Sequence, residues 1–226
     1  MKTNIFQWAV LLAAATSFTL TSCDKDDDKD GNKAQYVDLG LPSGTLWATC
    51  NVGATNPEDA GDYFSWGETE TKDMYTFDTY KWNATPNGAP QMSKYFPGDN
   101  LTELELEDDA AYVNMGSDWC MPTIEQCREL LNYTRTEWTE LNGVYGRKIT
   151  SNSNGNSIFI PAVGHRVENY QDYYKDDTQS GIYWTRSLSS DSPMNAFYFA
   201  FGKGEISTRS EAGTRFLGRT VRAVRR

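Results

Sequence analysis

Histidine is almost missing from this sequence: His165 is the only one in 226 residues. Any mechanism or metal site that needs two imidazoles is excluded at once. Cysteine is scarce as well, and Cys23, Cys50, Cys120 and Cys127 lack the close paired spacing of a zinc site. Basic charge is short. Lys plus Arg number 21 against 31 Asp plus Glu, a formal net charge of -10, which argues against nucleic-acid binding through a general basic surface. The chain has no phosphate loop and no dinucleotide fingerprint. It has no long apolar run beyond its N-terminal one. What it does have is aromatics, with 7 Trp, 13 Tyr and 10 Phe. That content excludes a wholly disordered chain.

The N-terminus reads as an address. Lys2 precedes a mostly apolar stretch from Ile5 to Leu20, and Leu20-Thr21-Ser22-Cys23 follows. A positive start, a short apolar run and small residues before a cleavage point form a secretory signal, here residues 1–22. The Leu-x-x-Cys ending resembles a bacterial lipobox. That likeness implies a mature chain beginning at Cys23, with this residue carrying palmitate-type acyl chains that hold a soluble domain at the membrane. Residues 23–33 then read as an acidic flexible tether, because a run of Asp repels itself and stays hydrated. Asp26-x-Asp28-x-Asp30-Gly31 matches half of a calcium loop, but Val37 stands where the loop needs a bidentate Glu. No metal is therefore expected. An acidic run after a lipidated Cys also resembles the export signal of surface lipoproteins in Bacteroidota-type bacteria. It implies an outer-membrane location facing the cell exterior.

Residues 34–226 have even composition and read as one domain. Short strands are expected at Tyr36 to Leu39 and Thr45 to Asn51, around the turn Leu41-Pro42-Ser43-Gly44. Residues 69–105 are polar with scattered aromatics and read as a surface excursion. A short helix is expected from Asp108 to Met115, and a better one from Ile124 to Tyr133, where Thr123-x-x-Gln126 has capping-box spacing. Val144 to Thr150 and Ser157 to Ile160 predict a hairpin across Asn154-Gly155. Ile182 to Thr185, Ala196 to Phe201, Glu205 to Thr208 and Thr220 to Val224 predict further strands. The expected class is a loop-rich α+β domain, mostly short antiparallel strands with two helices.

Several strings carry a family likeness: Tyr36-Val-Asp-Leu-Gly-Leu-Pro-Ser-Gly-Thr-Leu-Trp47, Gly61-Asp-Tyr-Phe-Ser-Trp-Gly-Glu68, Trp119-x-Met-Pro-Thr123, Gly155-x-Ser-Ile-Phe-Ile-Pro-Ala162, Gly181-x-Tyr-Trp184 and Gly218-x-Thr-Val-Arg222. Their order and wording resemble the Fibrobacter succinogenes major paralogous domain family. The resemblance implies a secreted or lipid-anchored protein with C-type-lectin-like, formylglycine-generating-enzyme-like architecture, and it brings no general enzymatic activity. Cys120 departs from the family, which usually shows Arg there. The calcium-ligating tripeptides of C-type lectins, Glu-Pro-Asn and Gln-Pro-Asp, do not occur.

The motif tryptophans Trp47, Trp66, Trp119 and Trp184 are expected in the core. At most one disulfide can form among Cys50, Cys120 and Cys127, and the sequence does not select the pair. Candidate ligand-binding residues are Tyr170, Tyr173 and Tyr174 on a polar loop, whose rings suit either recognition or packing on the domain itself. In some relatives of lectin-like architecture, C-terminal loops are varied by diversity-generating retroelements. By that resemblance Asp191, Asn195, Tyr198, Glu205, Ser207, Arg209, Glu211 and Phe216 form a second candidate face. No catalytic residues and no cofactor are expected. The functional expectation is a surface lipoprotein that binds a glycan, a glycoprotein or another cell. The alternatives are a structural or assembly component of a surface machine, a retroelement-diversified ligand-binding protein and, last, an enzyme.

Overall fold

The computed structural model describes residues 35–86, 88–168, 170–172, 180–204, 206–207 and 212–225. The expected signal 1–22, Cys23 and the tether to residue 33 lie outside them, as do Tyr173, Tyr174, Glu205, Arg209 and Glu211.

Strands β1 (Tyr36–Asp38) and β2 (Leu46–Ala48) pair antiparallel with Val37 opposite Trp47. The turn between them closes as the Gly44 N–H donates to Leu41 O at 2.9 Å, with Gly44 at φ 72°, a conformation glycine takes without a Cβ clash. Two distant segments complete this sheet. β13 (Val224–Arg225) lies between β2 and β3 (Trp119–Cys120), and Val224 faces both Trp47 and Cys120. β4 (Thr134–Leu141), β5 (Val144–Ser151) and β6 (Ser157–Pro161) form a meander. β7 (His165–Val167) and β8 (Tyr170–Asp172) form a small hairpin. β10 (Asn195–Phe201) pairs with β9 (Gly181–Leu188), β11 (Ile206–Ser207) and β12 (Ala212–Thr214).

Two short helices sit among these sheets. α1 (Ala110–Met115) starts at Asp109, whose carboxylate accepts from the Ala111 and Tyr112 amides. α2 (Ile124–Asn132) starts at Thr123 with the full reciprocal capping box to Gln126. It buries Ile124, Cys127 and Leu130.

The α+β expectation does not hold. Strand outweighs helix, 36% to 11%, and the protein is β-rich. The helices are those expected, but they are short and the antiparallel sheets carry the architecture. Frequent turn residues cut the chain into pieces too short for amphipathic helices, while alternating Thr, Tyr, Phe and Val suit pleated surfaces. The expected strand Thr220 to Val224 is regular only at its end, and the first meander strand, β4, is not among the expected ones.

Two apolar clusters form the interior. One gathers Leu39, Trp47, Cys120, Cys127, Leu130, Ile149, Ile160, Phe199 and Phe201. The other gathers Phe64, Trp66, Tyr95, Leu104, Trp119, Trp184 and Val221. All four motif tryptophans named above are buried. Among the described residues Cys50, Cys120 and Cys127 carry no disulfide. Cys127 is sealed in the core, and burial pushes its thiol pKa up.

The stretch 69–105 is less of a surface excursion than expected, since Tyr75, Tyr80, Tyr95 and Leu104 are buried. Aromatic polar tips pin the surrounding irregular backbone. The Tyr75 and Tyr80 hydroxyls donate to Tyr63 O and Trp66 O, each at 2.6 Å. The Trp66 and Trp184 indoles donate to Thr185 O and Phe64 O at 2.8 and 2.9 Å. Arg215 is fully buried and bridges to the same stretch. Its Nε donates to Tyr80 Oη at 2.9 Å, and its terminal nitrogens donate to Tyr95 O, Pro193 O and Lys94 O. Carbonyls that would otherwise be orphaned inside the domain are satisfied by these donors.

Candidate functional site

Two neighbouring stretches and one residue distant in sequence meet in a polar cleft of about 320 Å³, lined by Gly61–Tyr63, Thr71–Asp73, Tyr75 and Arg166. Backbone bonds hold each segment. The Asp62 amide donates to Val52 O at 2.9 Å, beside Gly61 at φ 67°, where an added Cβ would lie 2.3 Å from Val52 O. Tyr75 and Glu168 exchange both backbone bonds, at 2.8 and 3.1 Å. Arg166 and Gly218 exchange both of theirs, at 2.7 and 3.0 Å. An added Cβ on Gly218 would lie 2.6 Å from the Tyr75 ring, so only glycine permits this approach.

The floor is phenolic and the walls are charged. Tyr63 and Tyr75 are buried, and the Tyr63 hydroxyl donates to Val163 O at 2.7 Å. Burial pushes the Tyr75 hydroxyl pKa up, so it stays protonated at neutral pH. The Arg166 guanidinium lies over the Tyr63 ring, 4.9 Å from its centroid, and its buried Nε has no hydrogen-bond partner. Lys72 is committed elsewhere. Its ammonium is 2.8 Å from the Glu68 carboxylate and donates to Thr79 O at 3.1 Å. Burial lowers its pKa, and Glu68 opposes that shift. Asp62 and Asp73 are exposed at the rim. Among the described residues no ion pair joins either of them to Arg166.

The residues expected from sequence lie elsewhere. Tyr170 and Ser207 fall on β8 and β11, and their side chains are outside what the structure describes. Asp191 is exposed on the turn before β10, where its amide donates to Ser189 Oγ at 3.2 Å. Asn195 opens β10, its carbonyl accepting from the Ser189 amide. Tyr198 meets Trp184 edge-on, 6.4 Å between centroids. Between these two rings sits Arg219, 4.1 Å from each centroid. Phe216 packs edge-on against Phe77 at 6.2 Å, and its carbonyl accepts from Ser65 Oγ at 2.8 Å. Among the described side chains, Asp191, Asn195, Tyr198 and Phe216 do not line the cleft. The cleft itself was missed by sequence reasoning, although Gly61-Asp62-Tyr63 opens one of the family-like strings and Arg166 follows the single histidine.

One acidic group invites a metal reading. Glu105, Glu107 and Asp108 present carboxylates within reach of a single ion. Lys94 already supplies the positive charge, with Nζ 2.6 Å from Glu105, 3.6 Å from Glu107 and 2.6 Å from Asp108. Lys81 adds a second ammonium 2.8 Å from Asp108. Burial alone would raise the Asp108 pKa, but the hydrogen bonds from Lys81, Lys94 and Tyr95 outweigh it and hold the carboxyl below its ordinary value. Comparison with protein-family models, curated proteins and solved structures finds no match for this chain.

Proposed function

We propose that the protein is a surface lipoprotein whose β-rich domain is a binding module for glycans or glycoproteins on another surface. The supporting observation is the cleft. It is small and polar, rests on backbone pinned by reciprocal hydrogen bonds, and presents Arg166, Asp62 and Asp73 without ion pairs between them. Sites with a few convergent polar groups on a rigid scaffold are where small ligands bind. The lipobox-like Leu20 to Cys23 and the acidic tether support display at the outer membrane. The ordered family-like strings support membership of the Fibrobacter paralogous family.

The test is a screen of the full chain in detergent micelles against polysaccharides and host glycoproteins, with and without a chelator. Specific binding insensitive to chelator is expected. A folded protein that binds none of them overturns the reading and directs the search to protein partners in the membrane. Binding lost only with chelator reveals a calcium site instead. In cells, Cys23→Ala is expected to release the protein from the membrane fraction, and retention refutes the lipid anchor.

A further inference from the structure

We infer that the cleft of Asp62, Asp73, Tyr63, Tyr75 and Arg166 is a subsite for a single acidic sugar residue, one carrying a carboxylate and a ring of hydroxyls; this rests on the binding-module reading. The argument starts from charge already spent. Lys72 is paired with Glu68, whereas Arg166 has no ion pair among the described residues. Its backbone is fixed by Gly218, and its guanidinium lies against the Tyr63 ring. A planar donor fork held in this way suits a carboxylate, which it can grip through two parallel N–H bonds.

The rim selects further. Asp62 and Asp73 are exposed carboxylates on two different segments of the same cleft. Carboxylates accept hydrogen bonds and donate none when ionised, so they suit hydroxyl donors spread around a ring. They also repel any ligand bearing several negative charges, which disfavours phosphate and polysulfated chains. A volume of about 320 Å³ lies at the low end of ligand pockets, room for one ring. The tyrosine rings are buried and already covered, Tyr63 by Arg166 and Tyr75 by Lys72, which leaves no open stacking face. The polar groups therefore set the preference.

The experiment titrates the full chain in micelles with a glucuronic-acid-terminated disaccharide, its glucose counterpart, and a short peptide with an unblocked C-terminal carboxylate. The acidic disaccharide is expected to bind about tenfold or more tighter than the neutral one. Arg166→Gln is expected to erase that preference, and Arg166→Lys to keep part of it, since a point charge replaces the fork. Asp62→Asn is expected to weaken the acidic disaccharide while leaving the preference for acid over neutral in place. Near-UV circular dichroism monitors the fold of each variant. Should Arg166→Gln fail to fold, competition by monomeric glucuronate against the wild-type protein decides, and failure to compete overturns the subsite. Equal affinity for acidic and neutral sugars, unchanged in Arg166→Gln, overturns the inference and leaves the binding-module reading standing. Arg166-dependent capture of the peptide without the acidic sugar overturns it as well. No binding to any glycan or glycoprotein by the folded chain overturns both.

Discussion

Two arginines buried in the same protein are expected to respond in opposite ways to the same substitution. Arg215 has no exposed surface and makes four hydrogen bonds, to Tyr80 Oη and to the carbonyls of Tyr95, Pro193 and Lys94. It also lies 4.7 Å from the Trp66 centroid. Arg219 is nearly as buried and is clamped between Trp184 and Tyr198, but its Nε and Nη1 have no partner. Burial pulls its pKa down to about 9, a sign that the folded state holds this charge at a cost. Arg215→Met strips three interior carbonyls of a donor at roughly 1 kcal/mol each, and the lost cation–π contact adds roughly 1–2 kcal/mol. Methionine packing and removal of a buried charge return part of this. A net loss of about 3–4 kcal/mol remains. Arg219→Met loses two ring contacts but leaves no carbonyl stranded and removes a poorly solvated cation. Its net effect is expected within about 1 kcal/mol of zero. Urea denaturation of both variants, with midpoint and slope fitted separately, reads the difference directly. At roughly 2–4 °C per kcal/mol for a chain of this size, melting temperatures should separate by about 10 °C. Equal losses in the two variants would refute the reasoning, because donor satisfaction would then not be what distinguishes them.

Two further outcomes follow from the same kind of accounting. Asp109 is fully buried and accepts from the Ala111, Tyr112 and Met121 amides at 2.9–3.1 Å, so Asp109→Ala removes a helix cap and strands an interior N–H. A loss of about 3 kcal/mol is expected by chemical denaturation, with Asp109→Asn recovering roughly half, and a loss below about 1 kcal/mol would remove the cap from the account. Alkaline pH should destabilise the fold. Burial raises the pKa of Tyr80, Tyr95, Tyr183 and Cys127, so the folded state keeps protons that the unfolded chain gives up near pH 9 to 10. Their contribution is complete below that window and falls above it by about 1.4 kcal/mol per pH unit for each withheld proton. Arg219 and Lys72, whose pKa values burial lowers, act in the opposite sense, while Tyr75, also pushed up by burial, adds to the four. Urea midpoints that stay level from pH 8 to pH 11 would contradict this balance.

Local chemistry made some of this structure legible in the sequence, and long-range pairing hid the rest. Thr123 and Gln126 announce α2 because a capping box is complete within four residues. The β5–β6 hairpin is legible for the same reason, as its turn residues lie between two apolar runs. β4 escaped notice because Thr134–Leu141 carries polar residues on both faces, and only its pairing with β5 and the packing of Trp138 against the core make it a strand. The helix-to-strand balance was misjudged because β7, β8 and β12 are short segments defined by partners rather than by periodicity. The cleft was illegible for a related reason. Tyr75 reaches Glu168, and Arg166 reaches Gly218, through isolated bridges that no spacing rule reveals. The tryptophans were read correctly as core, since size and apolarity decide burial before topology does.

The place of β13 in its sheet sets the order in which the protein can be made. It fills the gap between β2 and β3, and the neighbouring Arg222 donates to Ala48 O across a separation of 174 residues. A ribosome delivers the early strands first, and they must wait with an open seam until β13 emerges. Cooperative closure is therefore deferred to a late moment of biosynthesis. The same deferral leaves the facing edges of β2 and β3 unpaired until β13 arrives, open to non-native strand pairing in the meantime.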